Sequence, residues 1–240
     1  MTAAAEACHR TLVVFDFDRS LLEDDTDRWS MKLGGDEAAA LRASRGRDDC
    51  WTDLMGEIFA VIHSKGVGRE QFEAHMQDMV IHTDMLAACK LLEGRTDVDC
   101  FILSDSNSVF IDVLLERYGL KNLFKRVVTN PAHFDKNGCL RIQHCHSHSC
   151  ATCVLNLCKA EFMSEFIATT PYARKVYIGD GGGDLHAALQ LSPGDTLLAR
   201  RGYPLMKKLA TPAGQDFKAN LVPWDSGTDV LSWFQKHLSS

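Results

Sequence analysis

The sequence predicts an α/β protein: a doubly wound parallel sheet with helices on both faces and a helical insertion between its first two strands. Three observations lead there. Short, predominantly apolar runs recur at residues 12–15, 98–104, 126–129, 175–178 and 196–199, as expected of parallel strands covered on both faces. Segments of helical period lie between most of them, which implies parallel strands joined by right-handed crossovers. Between the first two runs, residues 29–93 carry helical patterning and no convincing strand. The expected organisation is a core of residues 1–22 and 96–240 and a helical insert of residues 23–95.

In chain order, the run at 12–15 leads straight into Asp16-Phe17-Asp18-Arg19-Ser20, and an acidic stretch of Glu23, Asp24, Asp25 and Asp27 follows. Trp51, Met55 and Phe59 repeat every fourth residue beside a second row of Leu54, Ile58 and Ile62, the pattern of an amphipathic helix packed on other helices. Lys65-Gly66-Val67-Gly68 breaks that helix, another spans 69–79, and Gly34-Gly35 and Arg45-Gly46 mark further loops. The second strand, at 98–104, ends in Ser104, and a helix over 107–118 presents Val109, Phe110, Val113, Leu114 and Tyr118 before stopping at Gly119. The strand at 126–129 is ended by Asn130-Pro131, and 134–142 reads as a hairpin around Asn137-Gly138. A run dense in His and Cys, residues 143–159, precedes a helix at 161–169. The strand at 175–178 runs into Gly179-Asp180, another lies at 196–199, and a short strand and closing helix around Val230, Trp233 and Phe234 occupy 222–238.

At 240 residues the chain can bury a substantial core, and 45% hydrophobic with 24% charged residues is ordinary for a globular protein. The formal net charge of −6 argues against nucleic acid and anionic membrane as partners. Residues 1–10 have no apolar core of a secretory signal, no membrane span is read, and nine cysteines are therefore read as reduced thiols or metal ligands. The expected location is the cytoplasm.

In an open α/β sheet, ligands bind beyond the carboxyl ends of the strands, so Asp16 and Asp18, Ser104, and Asp180 with Asp184 converge although distant in sequence. The glycines of Asp180-Gly181-Gly182-Gly183-Asp184 let backbone approach a ligand closely, while neither a dinucleotide fingerprint nor a P-loop is present. Carboxylates at this density suit a hard cation such as magnesium, which offsets repulsion between an acidic site and a phosphorylated substrate. Phosphoryl transfer then assigns Asp16 as nucleophile, Asp18 as general acid and base, Ser104 as a donor to a phosphoryl oxygen, and a lysine to complete charge neutralisation.

Asp16-Phe17-Asp18-Arg19-Ser20, Ser104, Lys159 and Gly179-Asp180-Gly181-Gly182-Gly183-Asp184 resemble the four motifs of the haloacid-dehalogenase (HAD) phosphatase superfamily. The likeness extends to the phosphoethanolamine/phosphocholine phosphatase (PHOSPHO) family and its plant thiamine-phosphate phosphatase-like relatives. It rests on residues 16–27, Ser104-Asp105-Ser106-Asn107, His146-Ser147-His148-Ser149-Cys150-Ala151-Thr152-Cys153 and Asn156-Leu157-Cys158-Lys159. It continues in Pro193-Gly194-Asp195, Arg200-Arg201-Gly202-Tyr203-Pro204 and Val222-Pro223-Trp224. The resemblance implies a HAD-like Rossmannoid core, a C1-type helical cap inserted after the first motif, and magnesium held by Asp16, Asp18 through its carbonyl, and Asp180, with Asp184 nearby. It also sets Ser104, Asp105 and Lys159 at the phosphate. Two positions depart from the pattern: Ser20 replaces the usual Thr or Val, and Gly183 replaces an Asn.

The acids Asp24, Asp25, Asp27 and Asp105 flank the expected site without being needed for the chemistry, and Asp27 and Asp105 are read as selecting a cationic leaving group: ethanolamine, choline or a thiazolium. Pyridoxal phosphate and inorganic pyrophosphate are the alternative substrates. In the His/Cys run, Cys150-x-x-Cys153 with Cys158 and His146 or His148 has the residue types of a tetrahedral zinc site, the alternative being reduced thiols that pack a loop. Two readings of another class stand beside the phosphatase: a phosphoacceptor domain that holds a phosphoryl group without hydrolysing it, and a zinc-loop interaction protein. The second acid of the Asp16-x-Asp18 pair and the long insert argue against the phosphoacceptor.

Overall fold

The computed structural model describes residues 10–46, 49–151, 153 and 155–238; Thr152 of the His/Cys run and the segment ahead of Arg10 lie outside them. The strands are β1 (Thr11–Phe15), β2 (Val98–Asn107), β3 (Phe124–Asn130), β4 (Ala132–Phe134), β5 (Leu140–Ile142), β6 (Arg174–Gly179), β7 (Thr196–Arg200) and β8 (Asn220–Trp224). Six form one sheet in the order β3-β2-β1-β6-β7-β8, and every neighbouring pair is parallel. The order reverses direction at β1, so the crevice of this doubly wound sheet opens between the carboxyl ends of β1 and β6. Register fixes the level of those ends: Phe15 stands opposite both Ile102 and Ile178, and the Asp16 amide still donates to the Ile178 carbonyl at 2.9 Å.

The reason β1 is uniformly apolar is visible in its two faces. Val13 and Phe15 pack with Phe110, Leu114, Met85, Val230 and Phe234, while Leu12 and Val14 pack with Met163, Phe166, Leu185 and Ala188. Alternation along an extended strand sends successive side chains to opposite layers, and here both layers are helical. The first layer is built by the helices Thr83–Leu92, Ser108–Arg117 and Gly227–Leu238, the second by Lys159–Thr169 and Asp184–Ala188. Burying one Phe or Leu contributes about 1.5–3 kcal/mol, so an acid or amide anywhere in this strand would be severely destabilising.

Between β1 and β2 the described residues form helices and no strand: Thr26–Met31, Gly35–Ala43, Trp51–Ser64, Arg69–Gln77 and Thr83–Leu92. The last of these lies along the C-terminal helix, closely enough that a Cβ on Gly227 would come within 2.6 Å of the Met85 amide nitrogen. Within Trp51–Ser64, Met55, Phe59 and Ile62 are buried as their spacing requires, but Trp51 is 38% exposed. The row Trp51, Met55, Phe59 therefore holds for its last two members, and Trp51 extends beyond the packed layer.

β4 and β5 form the antiparallel hairpin, with Gly138 at φ 83° and the Asp135 carboxylate accepting from the amides of Asn137 and Cys139. β2 runs on to Asn107, three residues past the strand read from the sequence, and the helix expected from 161 begins at Lys159. A short helix at Pro204–Leu209 was not legible in the sequence. No helix among the described residues is long and apolar enough to cross a membrane.

Candidate active site

The chain leaves β1 still extended at Asp16 (φ −69°, ψ 161°) and then turns through Phe17–Leu21, with Arg19 at φ 55°. A non-glycine residue in the left-handed region costs free energy and persists where surrounding contacts hold it. Those contacts are present: the Arg200 guanidinium donates to the Arg19 carbonyl at 2.7 Å, and the Arg19 amide donates to the Asp24 carbonyl. The turn keeps Asp16 and Asp18 on one side, and both line a single cleft of about 280 Å³ with Asp180 and Gly181.

At its floor, Asp16 Oδ1 accepts from the Phe17 amide at 2.7 Å and faces Lys159 Nζ at 2.9 Å. Lys159 is buried and bridges onward to Asp184 Oδ1 at 2.7 Å. Asp184, fully buried, accepts from four donors: Lys159, the Tyr177 hydroxyl, and the amides of Asp180 and Gly181. Gly179 is dictated by this arrangement, since a Cβ there would lie 2.6 Å from Asp184 Oδ2. Ser20 donates to Asp180 at 3.2 Å, which explains why a small hydroxyl suffices at that position. The glycine turn is also held from behind, by Leu205 N–H to the Asp180 carbonyl and by Lys208 Nζ to the Gly182 carbonyl. A Cβ on Gly183 would meet nothing within 4 Å, so the side chain of the usual Asn has open space here.

Asp18 sits in a different environment. Its carboxylate accepts from the Thr26 amide at 2.9 Å and from the Thr26 hydroxyl at 3.0 Å, and that hydroxyl meets Ser106 at 2.8 Å. Ser104 is buried and its Oγ accepts from the Ser106 amide, while the Asp105 side chain reaches the cleft. Opposite, Asp27 is buried and accepts from the Trp51 indole at 2.6 Å, leaving its other oxygen buried without a hydrogen-bond partner. Asp25 caps the helix at Thr26–Met31 and pairs with Arg19 and Arg28, so its charge is offset. Asp24 is exposed and does not line the cleft.

Crowding of acids sets the electrostatics. Burial, then Asp184, hold the Asp16 pKa well above the carboxylate range against the opposing pull of Lys159. Asp18 is raised well above that range by burial, then by Asp25 and Asp27. Burial chiefly pushes Asp27 to about 8, with the Trp51 hydrogen bond opposing, and burial followed by Asp184 pushes Asp180 to about 7. Burial works against the Lys159 cation, yet Asp16 and Asp184 outweigh it and hold its pKa well above the ordinary value. Raised carboxylates gathered in one cleft by burial and by each other's charge are the pattern of a functional site. One oxygen each of Asp16, Asp180 and Asp184 lie within 4.8 Å of one another. An all-oxygen donor set fits magnesium, with Asp16 Oδ2, Asp180 and the Asp18 carbonyl the open donors, since Asp184 is already occupied by N–H and O–H groups.

The His/Cys run is tied down at His146, bridged to Asn156, and the Cys145 amide donates to the Asn156 side chain at 2.8 Å. Cys150, Cys153 and Cys158 come together, but His146 and His148 do not complete the group: His146 faces Glu161 and packs edge-on to Phe162, with His148 beside it. The imidazole beside Cys153 is instead His186, whose Nδ1 is 3.0 Å from Cys153 Sγ although it does not come within 4.8 Å of all three sulfurs. Burial, then the neighbouring thiols, push Cys153 well up, and burial, then Lys208, lower His186, which leaves that ring neutral near pH 7. A second, exposed group joins the loop to the insert: His144 lies 2.8 Å from Asp53 and 3.6 Å from Cys50.

Sequence reasoning thus missed Thr26, Trp51, Tyr177 and His186 at the site or beside it. Trp51 carried a signal as the residue of its row nearest the acidic stretch, and Thr26 as a member of the 16–27 stretch that carries the family resemblance.

The comparisons with known proteins bear on the family and the fold. Residues 11–238 match the family model described as Putative Phosphatase. The chain is 34% identical over 235 residues to the Bos taurus "Pyridoxal phosphate phosphatase PHOSPHO2", covering 94% of this chain and 98% of that one. It is 32% identical to the Arabidopsis thaliana "Thiamine phosphate phosphatase-like protein" (92% of each) and 27% identical to the Gallus gallus "Phosphoethanolamine/phosphocholine phosphatase" (95% and 88%). Among solved structures, a phospho-aspartyl intermediate analogue of phosphoserine phosphatase superposes with a TM-score of 0.61 at 13% identity, over 93% of this chain and 98% of that one.

Proposed function

The chain belongs to the Putative Phosphatase (PHOSPHO) family of HAD-type phosphoric monoester hydrolases, and we propose that it hydrolyses small phosphomonoesters whose leaving group is an amine or a heterocyclic cation. The single observation that carries the substrate class is Asp27: a buried carboxyl with an unpartnered oxygen, clamped by the indole of Trp51 at the cleft opposite the Asp16 floor. An aromatic face beside carboxylates suits an alkylammonium or a pyridinium or thiazolium ring. The relatives named for phosphoethanolamine and phosphocholine, pyridoxal phosphate and thiamine phosphate support the same class. Pyrophosphate is disfavoured, because its second phosphoryl group would sit among these acids.

In the proposed mechanism, a carboxylate oxygen of Asp16 attacks phosphorus and the ester P–O bond breaks, giving an aspartyl-phosphate. Asp18 supplies a proton to the departing oxygen, a task its raised pKa supports, and the resulting carboxylate then takes a proton from the water that cleaves the acyl phosphate. Lys159 neutralises charge from behind Asp16, and Asp184 positions Lys159. Magnesium, when bound by Asp16, Asp180 and the Asp18 carbonyl, supplies charge that lowers repulsion between the site and phosphate. Ser104 and Asp105 stand in the second half of β2 and are assigned to the phosphate by the family resemblance; Asp105 lines the cleft, while Ser104 is fully buried. Helices of the insert serve as the cap that closes the cleft. Cysteines that form no disulfide among the described residues support a reducing, cytosolic compartment.

The test is steady-state phosphate release with magnesium across phosphoethanolamine, phosphocholine, thiamine monophosphate, pyridoxal phosphate, glycerol phosphate and pyrophosphate, compared by kcat/KM. Asp16→Asn abolishes release from all of them. Asp27→Asn narrows the preference for cationic over neutral leaving groups by about tenfold. Unchanged selectivity in Asp27→Asn refutes the substrate class while leaving the chemistry intact.

A further inference from the structure

We propose that Cys150, Cys153 and Cys158, with His186 as fourth donor, form a structural zinc site that pins the two arms of the active site together. The three sulfurs lie within 4.8 Å of one another, Cys153 and Cys158 are 3.5 Å apart, and His186 Nδ1 stands 3.0 Å from Cys153. Three thiols and one imidazole are the donor set of a closed tetrahedral zinc centre, and soft sulfur ligands select zinc against the magnesium suited to the acidic site. The sequence pairing of Cys150-x-x-Cys153 with Cys158 would place all three ligands on one loop; it is the fold that brings His186, 33 residues beyond Cys153, from the helix at Asp184–Ala188.

The loop itself calls for such a tie. Residues 143–158 contain one isolated bridge and no helix or strand among those described, and Asn156 holds φ 136°. A segment this long without regular structure needs an anchor inside a compact core. Its location gives the anchor a task. Cys158 immediately precedes Lys159, and His186 lies two residues after Asp184, so an ion here joins the chains on either side of the 2.7 Å Lys159–Asp184 pair. Binding zinc displaces the thiol protons to solvent, and the neutral His186 ring donates its lone pair. The site is independent of the chemistry at Asp16.

The full chain, purified without a histidine tag or chelator, is assayed for metal content and for zinc released on titration of the thiols with a mercurial. The expected result is one zinc per chain, released in step with the thiols. Cobalt exchanged into the chelator-treated wild type gives a thiolate-to-metal charge-transfer band and tetrahedral d–d bands. Cys150→Ser and Cys158→Ser lose the zinc, and His186→Asn weakens it by about tenfold or more. Cys50→Ser and Asp16→Asn keep it, which separates this site from the exposed Cys50–Asp53–His144 group and from the phosphatase chemistry. Folded wild type with neither zinc nor a cobalt spectrum, zinc retained by both cysteine variants, or a Cys153–Cys158 disulfide found by mass each overturns the proposal. Should the cysteine variants fail to fold, the wild-type cobalt spectrum decides alone.

Discussion

Replacing Asp27 by Asn isolates the electrostatic cost of the acidic cleft. The carboxyl is buried, its neighbours Asp25 and Asp105 are acids, and its pKa stands at about 8 against the ordinary 3.8. Because the folded value is raised, the group's contribution to stability is fully present below about pH 4 and is lost progressively as pH rises toward 8. Each unit corresponds to about 1.4 kcal/mol, so from about pH 5 to pH 8 wild type loses about 4 kcal/mol that the neutral amide of Asp27→Asn does not lose. Urea unfolding of both proteins across that range measures it: the two start nearly equal at low pH, and the variant becomes the more stable by a margin that widens with pH. A difference that stays flat with pH refutes the reasoning, since it would mean that Asp27 is ionised and compensated throughout. The same titration bears on substrate. A cationic leaving group returns the missing positive charge and draws the proton off Asp27, so KM for phosphocholine falls as pH rises toward 8 in wild type, and that dependence disappears in Asp27→Asn.

Three further outcomes follow from the geometry. Asp18→Asn lowers kcat by about 10²–10⁴ and, with an activated ester, leaves a phosphoenzyme that acid quench and mass spectrometry detect; equal loss with no trapped phosphoenzyme assigns the proton transfer elsewhere. Lys159→Met leaves Asp16 and Asp184 buried without their cation and costs about 3–5 kcal/mol in metal-free protein, partly restored by adding Asp184→Asn in a double-mutant cycle. Gly179→Ala drives a methyl into Asp184, costs about 1–3 kcal/mol and weakens magnesium activation, whereas Gly183→Asn, at φ −72° in open space, changes stability by less than about 0.5 kcal/mol.

The parts of this protein that sequence reveals are those governed by a repeating rule. Strand-end topology is one: a two-faced apolar strand such as 11–15 has to be central, so the acids after β1 and β6 meet whatever lies between them in sequence. The Asn137-Gly138 hairpin is another, because a tight turn needs the positive φ that Gly138 adopts. Lys159 follows no such rule. A lysine opening a helix is ordinarily a surface charge, and only the family resemblance separated it from that reading. Trp51 shows the limit of periodicity: spacing says which side of a helix a residue shares with Met55 and Phe59, not where along that side the packed layer ends. Thr26 reaches Asp18 across only eight residues, through the turn at Arg19 that no periodicity predicts, whereas His186 meets the cysteine cluster from a segment remote in sequence that carries no mark of it.

The stitch at the base of the insert ties its two ends to the sheet beside the proton donor. The outgoing and returning segments are joined by Glu23 N–H to the Val80 carbonyl at 3.2 Å, and Arg200, held between the rings of Tyr203 and Trp224, clamps Glu23 as well as the Arg19 carbonyl. Thr26, just past that clasp, is also what holds Asp18. Thr26 also meets Ser106 of β2 at 2.8 Å, so the proton donor is fastened to the sheet at the point where the insert begins, and a change at Thr26 reaches Asp18 and β2 together.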